Sequence, residues 1–233
     1  MEKCANSEMT ELAAKTWLVI PLYNEGKVVY DVLKEVRKTF PNIICVDDGS
    51  ADNSGQEALK AGAYLATHPI NLGQGAALQT GISYVLQQTD AKYLITFDSD
   101  GQHRVEDALA MIAAAEADDL GFILGSRFLE GKAETGALKK FILQTVATIT
   151  RLRTGHQLTD AHNGLRLLRR DAAEKIEIRQ NRMAHASELV NQLLKTGLKW
   201  KEIPVHIIYT DYSRSKGQSL WNSVNILTEL IMK

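Results

Sequence analysis

The chain has 233 residues and a formal net charge of −1, because its 27 lysines and arginines nearly balance 28 aspartates and glutamates. This balance argues against a strongly basic nucleic-acid binder, and the 45% of hydrophobic residues are enough for a sizeable core. Two cysteines, Cys4 and Cys45, do not make a disulfide framework, and the N-terminal sequence shows no apolar leader. No window approaches the ~20 apolar residues of a membrane span. We therefore expect a cytoplasmic protein, with at most peripheral contact at the inner face of a membrane.

Apolar runs and helical patterns alternate through the first half of the chain. The apolar runs predict strands at 16–22, 42–47, 63–68, 92–98 and 121–126. The segments between them predict helices at 26–39, 53–61, 75–88 and 105–117. Repeated strand–helix units are typical of a mostly parallel sheet with helices on both faces. The predicted fold class is therefore α/β.

The regular alternation stops after residue 127. The sequence then predicts helices at 136–153, 184–196 and 218–232 and a strand at 199–209. The helix at 136–153 combines an apolar stripe with basic residues, and two interpretations stay open. It packs into the core with a solvated basic edge, or it rests on an anionic bilayer.

Four polar, turn-rich segments follow predicted strands. Their sequences are "YNEG", "DDGSAD", "NLGQG" and "DSDGQH". In open parallel sheets, ligands bind beyond the carboxyl ends of the strands. We therefore expect the four loops to converge on one site for a ligand that carries several polar groups.

The "DSDGQH" loop carries the strongest chemical signal. Asp98 and Asp100 are two residues apart, so both side chains can point to the same side of an extended chain. Mg²⁺ and Mn²⁺ are usually held by one or two carboxylates together with substrate phosphates. An acidic strand-end turn is the alternative. His103 is open to two roles, as a third metal ligand or as a group that supports a ligand, and the alternative is that a lone loop histidine has neither role.

Two other loops offer polar groups to the same site. Asp47, Asp48 and Ser50 follow the second strand, where an acid can accept hydrogen bonds from a base or ribose, or Ser50 can simply cap the next helix. The "GQGAAL" stretch resembles a dinucleotide-binding loop but has Leu78 where that fingerprint needs Gly or Ala. We reject a nicotinamide site, while a glycine turn at this helix can still approach a ligand closely.

The second half offers cations and candidate bases. Arg127 follows the fifth strand, and Arg214 and Lys216 lie near the C-terminus, where each can hold a phosphate or be a surface residue. "TDAHNGLR" is a short polar cluster. Glu188, on a predicted helix, is a candidate general base or a solvated glutamate.

In order along the chain, "VIPLYNEG", "VDDGSADNS", "NLGQGAALQTG", "FDSDGQH", "GSRF", "DAHNGLR" and "YSRSKGQS" resemble the motifs of family 2 glycosyltransferases with the GT-A fold. The resemblance is strongest to the dolichol-phosphate-mannose-synthase-like branch. It implies a single domain over 1–233, with a nucleotide-sugar-binding half over about 16–127 and an acceptor half over about 128–233.

The resemblance also implies roles for individual residues. The nucleotide-sugar-binding set would be Pro21, Tyr23, Asn24, Glu25, Asp47, Asp48, Ser50, Gly73, Gly75, Asp98, Ser99, Arg214 and Lys216. A Mg²⁺ or Mn²⁺ ion would be held by Asp98 and Asp100, with Gln102 and His103 beside them. Arg127 and Asn163 would face the acceptor, and Glu188 or Asp160 would act in catalysis.

The expected activity is a metal-dependent, inverting transfer from a UDP- or GDP-type sugar in cell-envelope polysaccharide or glycolipid synthesis. The acceptor stays open between a sugar hydroxyl, which needs a base, and a polyprenyl phosphate, which does not. "DAHNGLR" stands where the branch usually has small residues before "GFR". A non-catalytic nucleotide-sugar-binding subunit is another alternative. A sugar-1-phosphate nucleotidyltransferase is disfavoured because "PLYNEG" lacks a basic, glycine-rich loop.

Overall fold

A computed structural model describes residues 2–129, 158–160, 162–181 and 184–208 of the chain. The described elements are α1 (Glu2–Ala14), β1 (Thr16–Leu22), α2 (Val29–Val36), β2 (Asn42–Asp47), α3 (Ser54–Lys60), β3 (Tyr64–Thr67), α4 (Gln74–Gln88), β4 (Tyr93–Thr96), α5 (Val105–Asp118), β5 (Phe122–Ser126), β6 (Arg166–Arg169), α6 (Arg170–Ala173), α7 (Ala184–Lys195) and β7 (Trp200–Pro204).

Seven strands form one sheet in the order β3-β2-β1-β4-β6-β5-β7. The pairs β1–β2, β1–β4, β2–β3 and β5–β7 are parallel, whereas β6 runs antiparallel to both of its neighbours. Six strands therefore end at one edge of the sheet, and β6 begins there. In the register of the β4–β6 pair, Arg166 lies opposite Thr96. The chain just before β6 is thereby brought beside the loop that follows β4.

Helices cover both faces of this sheet, as the alternating pattern predicts. Apolar residues of α1, α2, α3 and α5 pack on one face, and those of α4, α6 and α7 pack on the other. Central strands such as β4 are buried along their whole length, which explains why their sequences are continuously apolar. Each buried Leu, Ile or Val contributes about 2 kcal/mol from its removal from water. The loops at the strand ends therefore stand on a rigid base.

The structure confirms the five predicted strands and the four helices between them to within three residues at each end, and it adds three elements, α1, β6 and α6. The N-terminal residues form α1, because Met9 and Leu12 lie one turn apart with Ala13 and pack on the core. The short β6 escaped prediction because "RLLR" has charged ends. The predicted helices at 136–153 and 218–232 lie outside the described residues, and the strand expected at 199–209 runs only over β7.

Candidate active site

A cleft of about 410 Å³ lies at the edge of the sheet where the parallel strands end. Its lining comes from the loops after β1, β2, β3 and β4, so the predicted convergence of four loops is confirmed. The residues that line it are Pro21, Leu22, Tyr23, Glu25, Asp48, Asn71, Gly73, Gln74, Ala77, Asp98, Ser99 and Asp100. The volume falls in the usual range for small-molecule sites.

Asp98 and Asp100 lie side by side in this cleft, and their surroundings differ. Burial alone would raise the pKa of the Asp98 carboxyl, but a hydrogen bond from His103 and the nearby charges of Arg166 and His185 hold it below the ordinary value. Burial and the neighbouring charge of Asp98 raise the pKa of Asp100. Asp98 is therefore the more firmly ionised carboxylate, and the two repel each other in a way that a bound cation would relieve.

His103 contacts the carboxylate of Asp98 from the buried side. Its ring Nε2 lies 2.9 Å from Asp98 Oδ2, and only 3% of its side chain is exposed, against 34% for Asp98. The ring also packs edge-on against Phe97, with 5.3 Å between centroids. Of the two roles left open by the sequence, its position supports that of a group that orients a ligand. Gln102 donates its backbone N–H to Asp100 Oδ1 at 3.0 Å and does not line the cleft.

Two further residues hold Asp98 in place, and the motif analysis assigned neither of them. Gln74 Nε2 donates to Asp98 Oδ1 at 3.3 Å. Gly164 lies so close that a Cβ there would stand 2.2 Å from Asp98 Oδ2, which only a glycine allows. The antiparallel β6 brings Gly164 to this point, where its carbonyl accepts a 2.6 Å hydrogen bond from the Thr96 hydroxyl.

Asp48 forms part of what we call the N-terminal wall of the cleft, residues 23–26, 47–54 and 68–73. Its carboxylate accepts hydrogen bonds from the backbone N–H groups of Leu72 at 2.9 Å and Gly73 at 2.7 Å. The ring of His68 lies 2.7 Å from Asp48 and 2.9 Å from the hydroxyl of Thr80. Asp48 thus fixes the loop after β3, and its predicted contact with a base or ribose stays a prediction.

The loops after β1 and β2 are tied to each other within the same wall. Asn24 donates its backbone N–H to the Ser50 hydroxyl at 3.0 Å, and its side-chain oxygen accepts from the backbone N–H of Ala51 at 2.9 Å. Asp47 accepts from the backbone N–H of Ser50 at 2.9 Å and does not line the cleft. Asn24, Asp47 and Ser50 therefore shape the wall rather than face its opening.

The two predicted glycines play different parts. Gly73 lines the cleft just before α4. Gly75, expected to approach a ligand, instead faces the protein, because a Cβ there would stand 2.1 Å from the carbonyl oxygen of Gln180 and 2.8 Å from Cβ of His185. Its close approach lets α4 pack against the segment before α7.

Arg127 and Asp160, which are not among the residues that line the cleft, form a bidentate ion pair. Arg127 donates from Nε to Asp160 Oδ2 at 2.6 Å and from Nη2 to Oδ1 at 2.8 Å. The side chain of Asp160 is 1% exposed and that of Arg127 is 25% exposed. Asn163, predicted to face the acceptor, is buried and uses its side-chain oxygen to accept from the backbone N–H of Leu165 at 2.8 Å.

Glu188 does not line the cleft. Its carboxylate accepts hydrogen bonds from the backbone N–H groups of Arg179 at 3.0 Å and Gln180 at 2.8 Å, so it holds the segment before α7. These contacts give the side chain a structural task. Its role as a general base stays a prediction that its position does not favour. Arg214 and Lys216 lie outside the described residues.

The carboxylates fit a divalent cation of the Mg²⁺ or Mn²⁺ type. Within the described ranges, no group of three or more acidic, histidine or cysteine side chains forms a complete metal cage. Mg²⁺ rarely uses such a cage, because it is commonly bound by one or two carboxylates, waters and substrate phosphates. Asp98 and Asp100 supply that donor set, with one carboxylate held ionised by His103.

Comparison with known proteins decides the family. The model of "Glycosyl transferase family 2" matches residues 17–177, more than half of the chain. The chain belongs to glycosyl transferase family 2. The predicted family and its enzyme class, a glycosyltransferase, are thereby confirmed.

Relatives within the family extend over nearly the whole chain. It is 35% identical to an uncharacterised protein of Methanocaldococcus jannaschii, over 99% of this chain and 97% of that one. It is 30% identical to the UDP-N-acetylglucosamine–dolichyl-phosphate N-acetylglucosaminyltransferase of Methanococcus voltae, over 93% and 94%. The polyprenol monophosphomannose synthase of Mycolicibacterium smegmatis is 26% identical, over 91% and 83%. These relatives confirm the predicted branch.

Solved structures show the same fold. Glucosyl-3-phosphoglycerate synthase from Mycobacterium tuberculosis, in complex with UDP, superimposes with a TM-score of 0.68 over 97% of this chain and 83% of that one, at 15% identity. This likeness confirms the GT-A fold of the glycosyltransferase. Among the described helices, none is long and apolar enough to cross a bilayer.

Proposed function

We propose that this glycosyltransferase moves a sugar from a nucleoside diphosphate sugar to a lipid phosphate of the dolichyl or polyprenyl class, with a Mg²⁺ or Mn²⁺ ion and with inversion at the anomeric carbon. The observation that carries the proposal is the cleft in which Asp98 and Asp100 meet three other strand-end loops. Such a site suits the base, sugar and diphosphate of the donor, because several loops offer polar groups to one ligand.

The donor assignment is supported by the carboxylate pair and by the relatives. The Methanococcus voltae enzyme uses UDP-N-acetylglucosamine, and the Mycobacterium tuberculosis synthase was solved with UDP and Mn²⁺. In the proposed enzyme, Asp98 and Asp100 hold the cation and His103 keeps Asp98 ionised and oriented. When bound, the cation supplies Lewis-acid neutralisation of the leaving diphosphate.

A phosphate acceptor is favoured over a hydroxyl because neither candidate base is available in the cleft. Asp160 is engaged by Arg127, and Glu188 accepts two backbone N–H groups outside the cleft. A hydroxyl needs a base within about 3 Å, whereas a phosphate oxygen is already anionic. The phosphate oxygen forms the new bond to the anomeric carbon, and the bond to the diphosphate breaks, so the nucleoside diphosphate leaves with the electron pair.

The course of the chain after β7 supports a part for Arg214 and Lys216. Ile208 donates its backbone N–H to the carbonyl of Gln102 at 2.9 Å, which places this end of the described chain two residues from Asp100. Six extended residues span up to about 20 Å. We propose that Arg214 and Lys216 reach the diphosphate from here.

The proposed lipid acceptor implies work at a membrane surface in glycolipid or cell-envelope polysaccharide assembly. The protein would then be cytoplasmic, with peripheral contact at the inner face of the membrane. The basic segment 136–153 is the candidate for that contact, because anionic lipids attract clustered lysines and arginines.

The test is a transfer assay with purified protein, Mn²⁺, and UDP-glucose, UDP-N-acetylglucosamine or GDP-mannose as donor. Farnesyl phosphate is the acceptor, and farnesol is its matched hydroxyl control. We expect a glycosyl phosphate product from farnesyl phosphate alone and none from the Asp98→Asn variant. Transfer to farnesol but not to farnesyl phosphate would contradict the acceptor assignment. Nucleotide binding without transfer to either would indicate a non-catalytic subunit.

A further inference from the structure

The chain leaves β7 through four residues, 205–208, that we call the strap. The backbone N–H of Val205 donates to the carbonyl of Ser126, at the end of β5, with a distance of 2.9 Å. The backbone N–H of Ile208 donates to the carbonyl of Gln102, also at 2.9 Å. Gln102 belongs to the loop between β4 and α5 that carries the two carboxylates of the cleft. The strap therefore connects the end of β5 to the loop of the proposed metal ligands.

The carboxylate of Asp107 holds the middle of the strap. Its Oδ2 accepts the backbone N–H of His206 at 2.7 Å, and its Oδ1 lies 3.2 Å from ring Nδ1 of the same histidine. The side chain of Asp107 is 9% exposed, against 52% for His206. An acid in the first turn of a helix ordinarily stabilises that helix through its dipole. Here both carboxylate oxygens also contact a residue 99 positions away in the chain, so Asp107 fixes the strap on α5.

A continuous series of contacts runs from Asp107 to the cleft. Asp107 holds the backbone of His206. Two residues further along the strap, Ile208 donates to the carbonyl of Gln102. The backbone N–H of Gln102 in turn donates to Oδ1 of Asp100 at 3.0 Å, and Asp100 lines the cleft. The strap therefore supports the backbone of the residue that orients the Asp100 carboxylate.

We infer that Asp107 is a positioning residue for the cation, because it fixes, through the strap, the backbone at Gln102 and thereby the direction of the Asp100 carboxylate. This inference rests on the proposed function, because it needs a cation at Asp98 and Asp100. Asp107 is not among the residues that line the cleft. Groups that orient metal ligands without contacting the metal commonly change metal affinity by about 10- to 100-fold when they are removed. The competing account is that Asp107 attracts the cation only through its negative charge.

The test measures the affinity for Mn²⁺ in the presence of UDP, and the affinity for UDP in EDTA, in wild type, Asp107→Ala and Asp107→Asn. Alanine releases the strap, so Asp107→Ala should bind Mn²⁺ about tenfold more weakly, with its affinity for UDP in EDTA within about twofold of wild type. Asparagine can accept the backbone N–H of His206 and donate to the neutral ring, so Asp107→Asn should bind Mn²⁺ within about threefold of wild type. Equal losses in the two variants would overturn the inference, because the charge of Asp107 would then account for the effect.

Two further variants separate the strap from a general loss of rigidity. Glu202→Ala removes another carboxylate, on β7, that accepts two backbone N–H groups of residues 158–160. It should lower Tm as Asp107→Ala does, and leave the affinity for Mn²⁺ within about twofold of wild type. Ile208→Pro removes the N–H that bonds Gln102 at a position that is 46% exposed, so it should weaken Mn²⁺ binding about tenfold even if Asp107→Ala does not fold.

The outcomes distinguish this inference from the proposed function. Mn²⁺ binding that is unchanged in Asp107→Ala and Ile208→Pro, or that is weakened as much in Glu202→Ala, would overturn this inference alone. A wild type that binds no Mn²⁺ in the presence of UDP would overturn the proposed metal-dependent function and this inference together.

Discussion

On the N-terminal wall of the cleft, Asp48 binds two backbone N–H groups and a histidine whose other ring nitrogen is also bonded. In the loop of residues 158–165, neither ring nitrogen of His162 has a partner among the described residues, and the nearly buried carboxylate of Asp160 is paired with Arg127 and also accepts the backbone N–H of His162. The carboxylate of Asp48 and the ring of His68 in the wall have hydrogen-bond partners, whereas the ring nitrogens of His162 in the loop have none among the described residues.

This difference indicates that the two regions have different roles. A satisfied network holds loops in a fixed shape before any ligand arrives, which lowers the entropic cost of binding. Unsatisfied buried polar groups lower stability, and those that persist in native proteins are often found where function uses them. We therefore propose that the wall is a preformed frame for the nucleotide of the donor.

The largest effect is expected when the ion pair of the loop is broken. Arg127→Ala leaves the carboxylate of Asp160, 1% exposed, without its main partner, so the free energy of unfolding should fall by about 4 kcal/mol. Urea unfolding measures it. The control is Arg104→Ala, whose partner Glu106 lies 3.4 Å away on the surface, with an expected loss below about 1 kcal/mol. Equal losses would remove the contrast between buried and exposed pairs.

The next effect is a loss of stability in acid that comes from His162. Its pKa is about 4 in the folded chain against 6.5 in the unfolded chain, so the unfolded chain binds the proton first. The free energy of unfolding should therefore fall as the pH drops from 6.5 to 4, by up to about 3 kcal/mol from this group. Chemical unfolding of wild type and His162→Leu at pH 7 and pH 4.5 measures the difference. Parallel losses in the two proteins would show that His162 does not titrate in this way.

A smaller effect is expected from a change inside the wall. Asp48→Asn keeps one acceptor oxygen but turns its amide NH₂, a donor, toward a backbone N–H, so the free energy of unfolding should fall by about 2 kcal/mol. Asp118→Asn, which only weakens a surface contact with Lys201 at 3.1 Å, is the control. If Asp48→Asn is as stable as wild type, the wall does not depend on this carboxylate.

The smallest effect is expected where the loop contacts the carboxylate pair. Gly164→Ala places a methyl group against Asp98 Oδ2 and should shift that carboxylate, so the apparent affinity for Mn²⁺ in the presence of UDP should fall about tenfold. Titration of Mn²⁺ measures it. Gly197→Ala is a control for glycine replacement, because no atom lies within 4 Å of the added group, although its backbone is strained. An unchanged affinity in Gly164→Ala would mean that Asp98 is not positioned from this side.

Much of the sheet, and the meeting of its strand-end loops, was predictable because both depend on local sequence patterns. Continuous apolar runs fixed β1, β2 and β4 as central strands, and the polar loops after them had to meet at one edge. The pair Asp98 and Asp100 followed from its spacing and position. The resemblance of ordered motifs then identified the family, which neither spacing nor composition alone could do.

The remaining features depend on contacts that are remote in the chain. Gly164 reaches Asp98 only because β6 runs antiparallel to β4. The sequence "RLLR" does not predict a strand, because it is short and has charged ends. Glu188 resembles a free base in the sequence, yet its carboxylate is taken by Arg179 and Gln180. That the ring nitrogens of His162 have no partner among the described residues likewise becomes visible only once the loop is folded. A signal that could have helped is the run of polar residues in "TDAHNGLR", because its polar side chains need hydrogen-bond partners if they are buried.

The most direct measurement is calorimetric titration of UDP and of GDP into wild type and Asp98→Asn, each with Mn²⁺ and with EDTA. Circular dichroism melting confirms that both proteins are folded. If Asp98 and Asp100 hold a cation on a nucleoside diphosphate, at least one of the two nucleotides should bind wild type about tenfold or more tightly with Mn²⁺ than with EDTA, and Asp98→Asn should show no such difference. Equal affinity with Mn²⁺ and EDTA in wild type, or the same metal dependence in Asp98→Asn, would contradict the account.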